Sequence, residues 1–238
     1  MPYALVTGCD HGLGLALAKQ LLGRSYCVVA CRLNPEERQV DELAASYPER
    51  LIVCTLDVSN DESVSALAAF VKTRLPHLDL MINCAGILGD MHKTLGDELD
   101  FDEMLRVFNV NALGPLRLTN ALFELIALSE GKLIANISSE AGSIADCYRR
   151  GWFGYCMSKA ANNMQGALCQ NALRDKGVRV VQVHPGHVAT YMRGHLDTTA
   201  SLTPDASASA VLEILLDKPL PETPGVTYMD WQGRLLPY

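Results

Sequence analysis

The run Met1–Leu22, MPYALVTGCDHGLGLALAKQLL, decides how the chain is read. Tyr3–Thr7 is a short apolar stretch with the length and composition of a buried strand. A turn holding Gly8, Gly12 and Gly14 follows, and an apolar helical pattern begins at once over Leu13–Gly23. Gly8 lets the chain turn sharply off the strand, Gly12 permits a close approach to the backbone, and Gly14 lets the helix pack tightly on the strand layer.

The same strand-then-helix rhythm runs to the end of the chain. Further strands are predicted at Cys27–Cys31, Leu51–Leu56, Leu80–Asn83, Lys132–Ser138, Arg179–His184 and Val226–Met229. Helices are predicted at Pro35–Tyr47, Asp61–Leu75, Phe101–Ala127, Gly154–Lys176 and Asp205–Leu216. Strands rich in Val, Ile and Leu that alternate with helices indicate a parallel sheet covered on both faces. Right-handed crossovers then give an α/β, doubly wound fold, read here as one domain over residues 1–238 with a mostly parallel seven-stranded sheet. Ligands of such sheets bind beyond the carboxyl ends of the strands. The loops Glu140–Phe153 and Gly186–Pro204 leave from that edge.

Composition narrows the function. The 238 residues are 49% hydrophobic and 20% charged, enough apolar material for a full core. A net charge of -7 offers no basic footprint for nucleic acid. No apolar run approaches the roughly 20 residues that span a bilayer, and no basic, apolar leader precedes Tyr3. The eight cysteines form no CxxC pair, so buried free thiols in a reducing cytoplasm are expected rather than a zinc site or disulfides.

At the start of the first helix, unpaired N–H groups and a partial positive charge suit a pyrophosphate. The glycine spacing is T-G-x-x-x-G-L-G, not G-x-G-x-x-G. Other short stretches follow it along the chain: DV at Asp57–Val58, NCAG at Asn83–Gly86, NVNALGP around Asn111, NISSEAGS around Ser139, YCMSK at Tyr155–Lys159 and HPGHVAT at His184–Thr190. In this order, over nearly the whole chain, they resemble the short-chain dehydrogenase/reductase family. The spacing from Ser139 to Tyr155 and the ending DWQGRLLPY look most like its carbonyl-reductase branch, which includes C-factor-like and sniffer-like proteins. Cys84 departs from the family's usual N-N-A-G. The resemblance implies a Rossmann-type domain, an NAD(P) cofactor and a small carbonyl or alcohol substrate. It places the cofactor against Gly8, Asp10, His11, Gly12, Leu13, Gly14, Asp57, Val58, Asn83, Ala85, Gly86, Tyr155, Lys159, Pro185, Gly186, Val188 and Thr190, with Asp57 and Val58 at the adenine and Thr190 at the nicotinamide carboxamide. Taken alone, Asp57 reads as a strand-end carboxylate capping the next turn.

Enzymes of this fold select NAD with an acidic residue after the second strand. Cys31 holds that place here, and Arg32 follows. A guanidinium matches a phosphate with paired donors, so NADP(H) is expected over NAD(H) with Arg32 as its ligand. Asp10 is unhelpful to a phosphate if it faces one, and His11 is only a partial cation near neutral pH.

Tyr155 and Lys159 are four residues apart and share one helix face. A carbonyl that accepts hydride needs a proton donor. A tyrosine at its ordinary pKa of about 10 is a weak one, and a nearby ammonium would lower it. Tyr155 as general acid and Lys159 as its tuner form a coherent pair. Ser139, at the end of the fifth strand, supplies an oxyanion-type hydrogen bond. Ser138 is chemically equivalent, and the resemblance decides for Ser139. Asn111 sits in a helical run with Pro115, whose missing N–H leaves the carbonyl of residue 111 unpaired and open to an ordered water. In the family that water relays protons to the lysine. His184 and His187 lack carboxylates or cysteines at ligand spacing, so no metal is expected. Ile144, Trp152, Phe153, Tyr191 and Met192 suggest an apolar substrate pocket, while Arg149, Arg150 and Arg193 read as solvated loop charges.

A second reading is a regulatory dinucleotide-binding protein with no catalysis, against which the intact Asn111, Ser139, Tyr155 and Lys159 count. The resemblance also implies a homodimer, in which the helices over Phe101–Ala127 and Gly154–Lys176 pair with their copies, and the sequence gives this local support. The helix over Gly154–Lys176 carries Ala161, Met164, Leu168, Ala172 and Asp175 on one face and Ala160, Asn163, Ala167 and Asn171 on another. One face serves the sheet, and the other suits a two-fold contact.

Overall fold

The protein is described by a computed structural model over residues 1–223 and 225–238. Seven strands form one sheet: β1 (Tyr3–Thr7), β2 (Cys27–Arg32), β3 (Leu51–Thr55), β4 (Leu80–Asn83), β5 (Leu133–Ile137), β6 (Arg179–His184) and β7 (Thr227–Asp230). Their order is β3-β2-β1-β4-β5-β6-β7, and every ladder between them is parallel. The direction of winding reverses between β1 and β4, where this fold opens its ligand crevice.

Strand alternation divides the core into two layers. Ala4, Val6, Val28, Ala30 and Ile82 face α1 (Gly12–Gly23), α2 (Gln39–Ser46) and α7 (Pro204–Leu212). Leu5, Val29, Met81 and Ile134 face α3 (Asp61–Arg74), α5 (Gly114–Ala127) and α6 (Phe153–Leu173). Leu17, Leu21 and Leu22 of α1 are wholly buried, each contributing about 1.5–3 kcal/mol by burial. The helices start where the chain provides caps. Asn60 accepts from Ser63 N at 2.8 Å ahead of α3, and Thr203 accepts from Ala206 N at 3.1 Å ahead of Pro204.

Two helical expectations change. The helix expected over Pro35–Tyr47 begins only at Gln39, because Pro35–Arg38 folds into a turn whose Glu37 carbonyl accepts from Arg32 Nη1. The helix expected over Phe101–Ala127 is interrupted. After α4 (Phe101–Phe108), a π turn occupies Asn109–Leu113 before α5 resumes. Pro115 cannot donate to the carbonyl of residue 111, and the wider turn is the backbone's answer.

The inward face of α6 is neither of the two faces read from the sequence. Tyr155, Ser158, Lys159, Asn162, Gln165, Gly166, Cys169, Gln170 and Leu173 are buried. Met164, Leu168, Ala172 and Asp175 lie outward, and Asn163 is buried with its amide between Ser138 and the Gly142 carbonyl. Polar residues can serve as the sheet face because each finds a partner there. Gln170, for example, bridges the carbonyl of Val178 and the N–H of Val180.

Candidate active site

A cleft of about 990 Å³ runs across the carboxyl ends of β1, β4, β5 and β6. At one end it is lined by the glycine turn, Leu33, Asn34, Glu37, Asp57 and Val58. At the other it is lined by Ser139, Glu140, Tyr148, Arg149, Trp152, Tyr155, Lys159 and the Pro185–Arg193 segment. The turn itself is tightly packed. A Cβ on Gly14 would stand 2.2 Å from the Gly8 carbonyl oxygen, so this glycine permits the helix start to cross the strand end. Gly12, at φ +61°, lies under the Thr190 methyl. His11 makes no capping hydrogen bond and no acidic residue lies in the first turn of α1. The free N–H groups there, opening on a cleft, fit the phosphates of a dinucleotide.

Tyr155 and Lys159 are both buried on the first turns of α6. Lys159 Nζ donates to the Ile137 carbonyl at 2.8 Å and lies 5.6 Å from the centre of the Tyr155 ring. Burial pulls Lys159 from 10.5 down to about 8. Burial also pushes the Tyr155 phenol well above its ordinary value; the Ser139 hydroxyl opposes that rise and the Glu140 charge adds to it. The lowering expected from Lys159 is not seen; what opposes burial comes from Ser139 and Arg149. A phenol that stays protonated is the form a carbonyl reduction consumes.

Ser139 Oγ donates to Glu140 Oε2 at 2.8 Å and accepts from Ala141 N at 3.2 Å. Ser138 instead donates to Asn163 Oδ1 at 2.7 Å, inside the molecule. Asn111 is buried and does not line the cleft; it bears on the site only through its side chain. Its amide oxygen accepts from Ile87 N at 2.9 Å, and its Nδ2 donates to the Ile87 carbonyl and to Ser158 Oγ. It thus positions the loop after β4, with Gly86 against both Asn111 and Lys159.

A model of the family described as short chain dehydrogenase matches residues 2–201. The chain belongs to the short-chain dehydrogenases. It is 33% identical to a 1-hydroxy-2-glutathionyl-2-methyl-3-butene dehydrogenase of Rhodococcus sp. (strain AD45), over 97% of this chain and all of that one. It is 39% identical to the Myxococcus xanthus C-signal, over 68% of this chain and 93% of the relative. Of the human 17-beta-hydroxysteroid dehydrogenase type 6, 32% identical, the chain covers only 58%. Among solved structures, the NADPH-bound carbonyl reductase from chicken fatty liver superposes with a TM-score of 0.88 at 32% identity, covering 100% of this chain and 99% of that one. The carbonyl reductase Sniffer of D. melanogaster gives 0.90 at 25% identity, covering both chains fully.

Within the cleft of this short-chain dehydrogenase most expected residues are present, and some are not. Gly8, Asp10, His11, Gly12, Leu13, Gly14, Asp57, Val58, Ala85, Gly86, Pro185, Gly186, Val188 and Thr190 line it. Asp57 also caps its own turn, accepting from Ser59 N at 2.9 Å and Ser59 Oγ at 2.6 Å. Asn83 does not line the cleft. It is buried in the sheet and donates to Asn136 Oδ1 at 2.7 Å, its cross-strand neighbour. Arg32 does not line it either. Its Nη1 donates to Asp41 Oδ2 at 2.6 Å and to the Glu37 carbonyl at 2.7 Å, so that nitrogen is held on its own loop, while the buried Nε has no partner. Ile144 and Phe153 lie outside the cleft wall, while Trp152, Tyr191 and Met192 are part of it.

Arg149, expected as a solvated loop charge, is instead a wall of the site. It pairs with Glu140 Oε1 and stacks on the rings of Tyr148 and Trp152. His184 Nδ1 lies 3.4 Å from Glu140 Oε2. Burial alone would raise Glu140, but His184, Ser139 and Arg149 more than offset it and hold the carboxylate ionised. The sequence did carry a signal for Glu140, a carboxylate beside the serine at a strand end. Asp197 is a second missed residue. It joins His187 Nε2 at 2.8 Å, Arg193 Nε at 3.3 Å and Thr199 Oγ1 at 2.6 Å, pinning the segment that follows β6. No cluster of three or more His, Cys, Asp or Glu among the described residues is placed to hold a metal ion.

Proposed function

We propose that the protein interconverts a carbonyl (an aldehyde, ketone or quinone) and the corresponding alcohol, using a nicotinamide dinucleotide and Tyr155 as the proton donor. The observation that carries this reading is the meeting, in one cleft, of the uncapped start of α1 with Ser139, Tyr155 and Lys159. The bound dinucleotide would supply the hydride. Tyr155 then delivers its proton to the substrate oxygen as the carbonyl becomes an alcohol. Lys159 and the free N–H groups of α1 bind the cofactor, Asn111 holds the Ile87 loop, and Ser139 must turn its single proton from Glu140 to help the substrate oxygen. The NADPH carried by the chicken carbonyl reductase supports the phosphorylated cofactor. Arg32, from which that preference was expected, gives it no support.

The apolar wall of Trp152, Tyr191 and Met192 suits an unsaturated or aromatic carbonyl. A second hollow of about 400 Å³ shares Ile87, Leu88, Met192 and Arg193 with the cleft and adds charges of both signs, Asp90 and Glu103 beside His92 and Arg106. It gives room for a longer, charged tail, so a glutathionyl alcohol of the kind named for the Rhodococcus relative belongs among the compounds to test. The whole chain is proposed to act as one domain in a reducing cytoplasm, which its free thiols support. No helix among the described residues is long and apolar enough to cross a membrane. A homodimer through α4 and α6 is supported by the large apolar side chains that Phe101, Leu105, Met164 and Leu168 leave in solvent.

The test is consumption of reduced cofactor with aldehydes, ketones and quinones, and production of it with alcohols. Turnover with at least one compound class is expected. Tight cofactor binding without turnover across the panel would favour the regulatory reading instead.

A further inference from the structure

The end of the cleft beyond the glycine turn is anionic. Asp10 reaches across from the turn to the exit of β2, where Oδ1 accepts from Leu33 N at 3.0 Å and Asn34 N at 2.7 Å, and Oδ2 accepts from Leu33 N at 3.1 Å. The backbone repeats the link, with Cys9 N donating to the Cys31 carbonyl at 2.8 Å. The carboxylate therefore stands at the strand exit where this fold recognises the adenosine ribose, although the sequence has no acid at that strand's end. Glu37 lines the same end and adds a second carboxylate.

No lysine or arginine that lines the cleft balances them there. Lys159 is on the Ile137 carbonyl, Arg149 on Glu140 and Arg193 on Asp197, all at the substrate end. Arg32 is only 11% exposed and is turned onto Asp41, which Arg38 also approaches at 3.5 Å. Arg32 spends Nη1 on Asp41 and the Glu37 carbonyl and does not line the cleft, although its buried Nε has no partner; to meet a phosphate there it would have to shift off that carboxylate and carbonyl, leaving Arg38 beside Asp41. A ribose 2′-phosphate brings a charge of about −1.5 to −2 to this place, against Asp10 and Glu37. A ribose 2′-hydroxyl brings a donor that a carboxylate accepts.

We propose that this chain selects NAD(H) over NADP(H), and that Asp10 is the residue that selects it, delivered from the glycine turn instead of the end of β2. The inference rests on the reading of the cleft as a nicotinamide dinucleotide site. It reverses the preference expected from Arg32 in the sequence and departs from the NADPH carried by the chicken carbonyl reductase.

Fluorescence titration of the unmodified chain with NADH and with NADPH tests it without any substrate. NADH should bind about tenfold tighter or more, on the scale of a charge-assisted hydrogen bond. Asp10→Asn keeps an acceptor for the Leu33 and Asn34 N–H groups and removes the charge. It should narrow the ratio about tenfold, mainly by strengthening NADPH. Glu37→Gln, which leaves the turn untouched, should move the ratio the same way by a smaller factor. Arg32→Ala should leave the ratio within about twofold. Tighter NADPH binding to the unmodified chain, or a selective loss of NADPH in Arg32→Ala, would overturn the proposal while keeping the dinucleotide site. Binding of neither nucleotide to the folded chain would overturn the site reading as well.

Discussion

Lys159 is buried with its amine pulled from 10.5 to about 8, and this has a consequence for stability. Between those two values the unfolded chain holds a proton that the folded chain has released, so stability climbs as pH rises through that window. Below about pH 8 the folded chain must keep a buried ammonium whose acceptor among the described residues is the Ile137 carbonyl. Lys159→Met should therefore unfold at higher denaturant at pH 7, by about 1–2 kcal/mol after the lost hydrogen bond, with the advantage fading toward pH 10. Equal destabilisation at both pH values would show that the amine carries no such penalty. Tyr155 titrates above its ordinary range, so carbonyl reduction should hold its rate across neutral pH while alcohol oxidation, which needs the phenolate, rises into alkali. The Glu140 charge contributes to that raised value. In Glu140→Gln the alkaline limb of the reduction profile should move to lower pH, and an unmoved profile would remove Glu140 from the account. Tyr155 and Lys159 are legible as residue types at fixed spacing, whereas Ser139 is separated from Ser138 only by the family resemblance. The partners of Ser139 and Arg149 were not, because a loop charge looks the same in sequence whether it faces water or a carboxylate nine residues away.

Among the elements, the glycine turn is the least tolerant. A methyl on Gly14 would stand 2.2 Å from a backbone oxygen, which cannot move aside as a side chain can. Gly14→Ala should cost about 2–4 kcal/mol in a urea titration and weaken dinucleotide binding together with stability. A stable variant that binds normally would mean that α1 does not cross the strand end so closely. Strand positions were readable to within a residue or so, because buried parallel strands are continuous apolar runs. Helix faces were less readable. The buried side of α6 includes Ser158, Lys159, Asn162, Gln165 and Gln170, and apolar periodicity cannot find a face whose burial depends on hydrogen bonds such as Ser158 Oγ to the Tyr155 carbonyl and Gln165 Nε2 to Asn162 Oδ1. The break at Pro115 was visible as a missing N–H, but not that a π turn would absorb it.

At the scale of the whole molecule, α4 and α6 leave Phe101, Leu105, Met164 and Leu168 more than half exposed. Light scattering at micromolar concentration should give about twice the chain mass of 25.9 kDa. Leu168→Arg, placed outward on α6, should return the protein to a monomer with its fold intact. The half-buried Ala167, which packs on the core, is the wrong position for that test. A monomer for the unmodified chain at every concentration would show that these side chains have no partner copy.

The measurement that bears most directly on the account is single-turnover reduction of an active carbonyl substrate by Tyr155→Phe with reduced cofactor already bound. Cofactor affinity should be unchanged, because only a hydroxyl is lost, and the chemical step should slow by at least about 10²-fold. A near-normal rate in that variant, with cofactor bound as in the unmodified chain, would contradict Tyr155 as the proton donor.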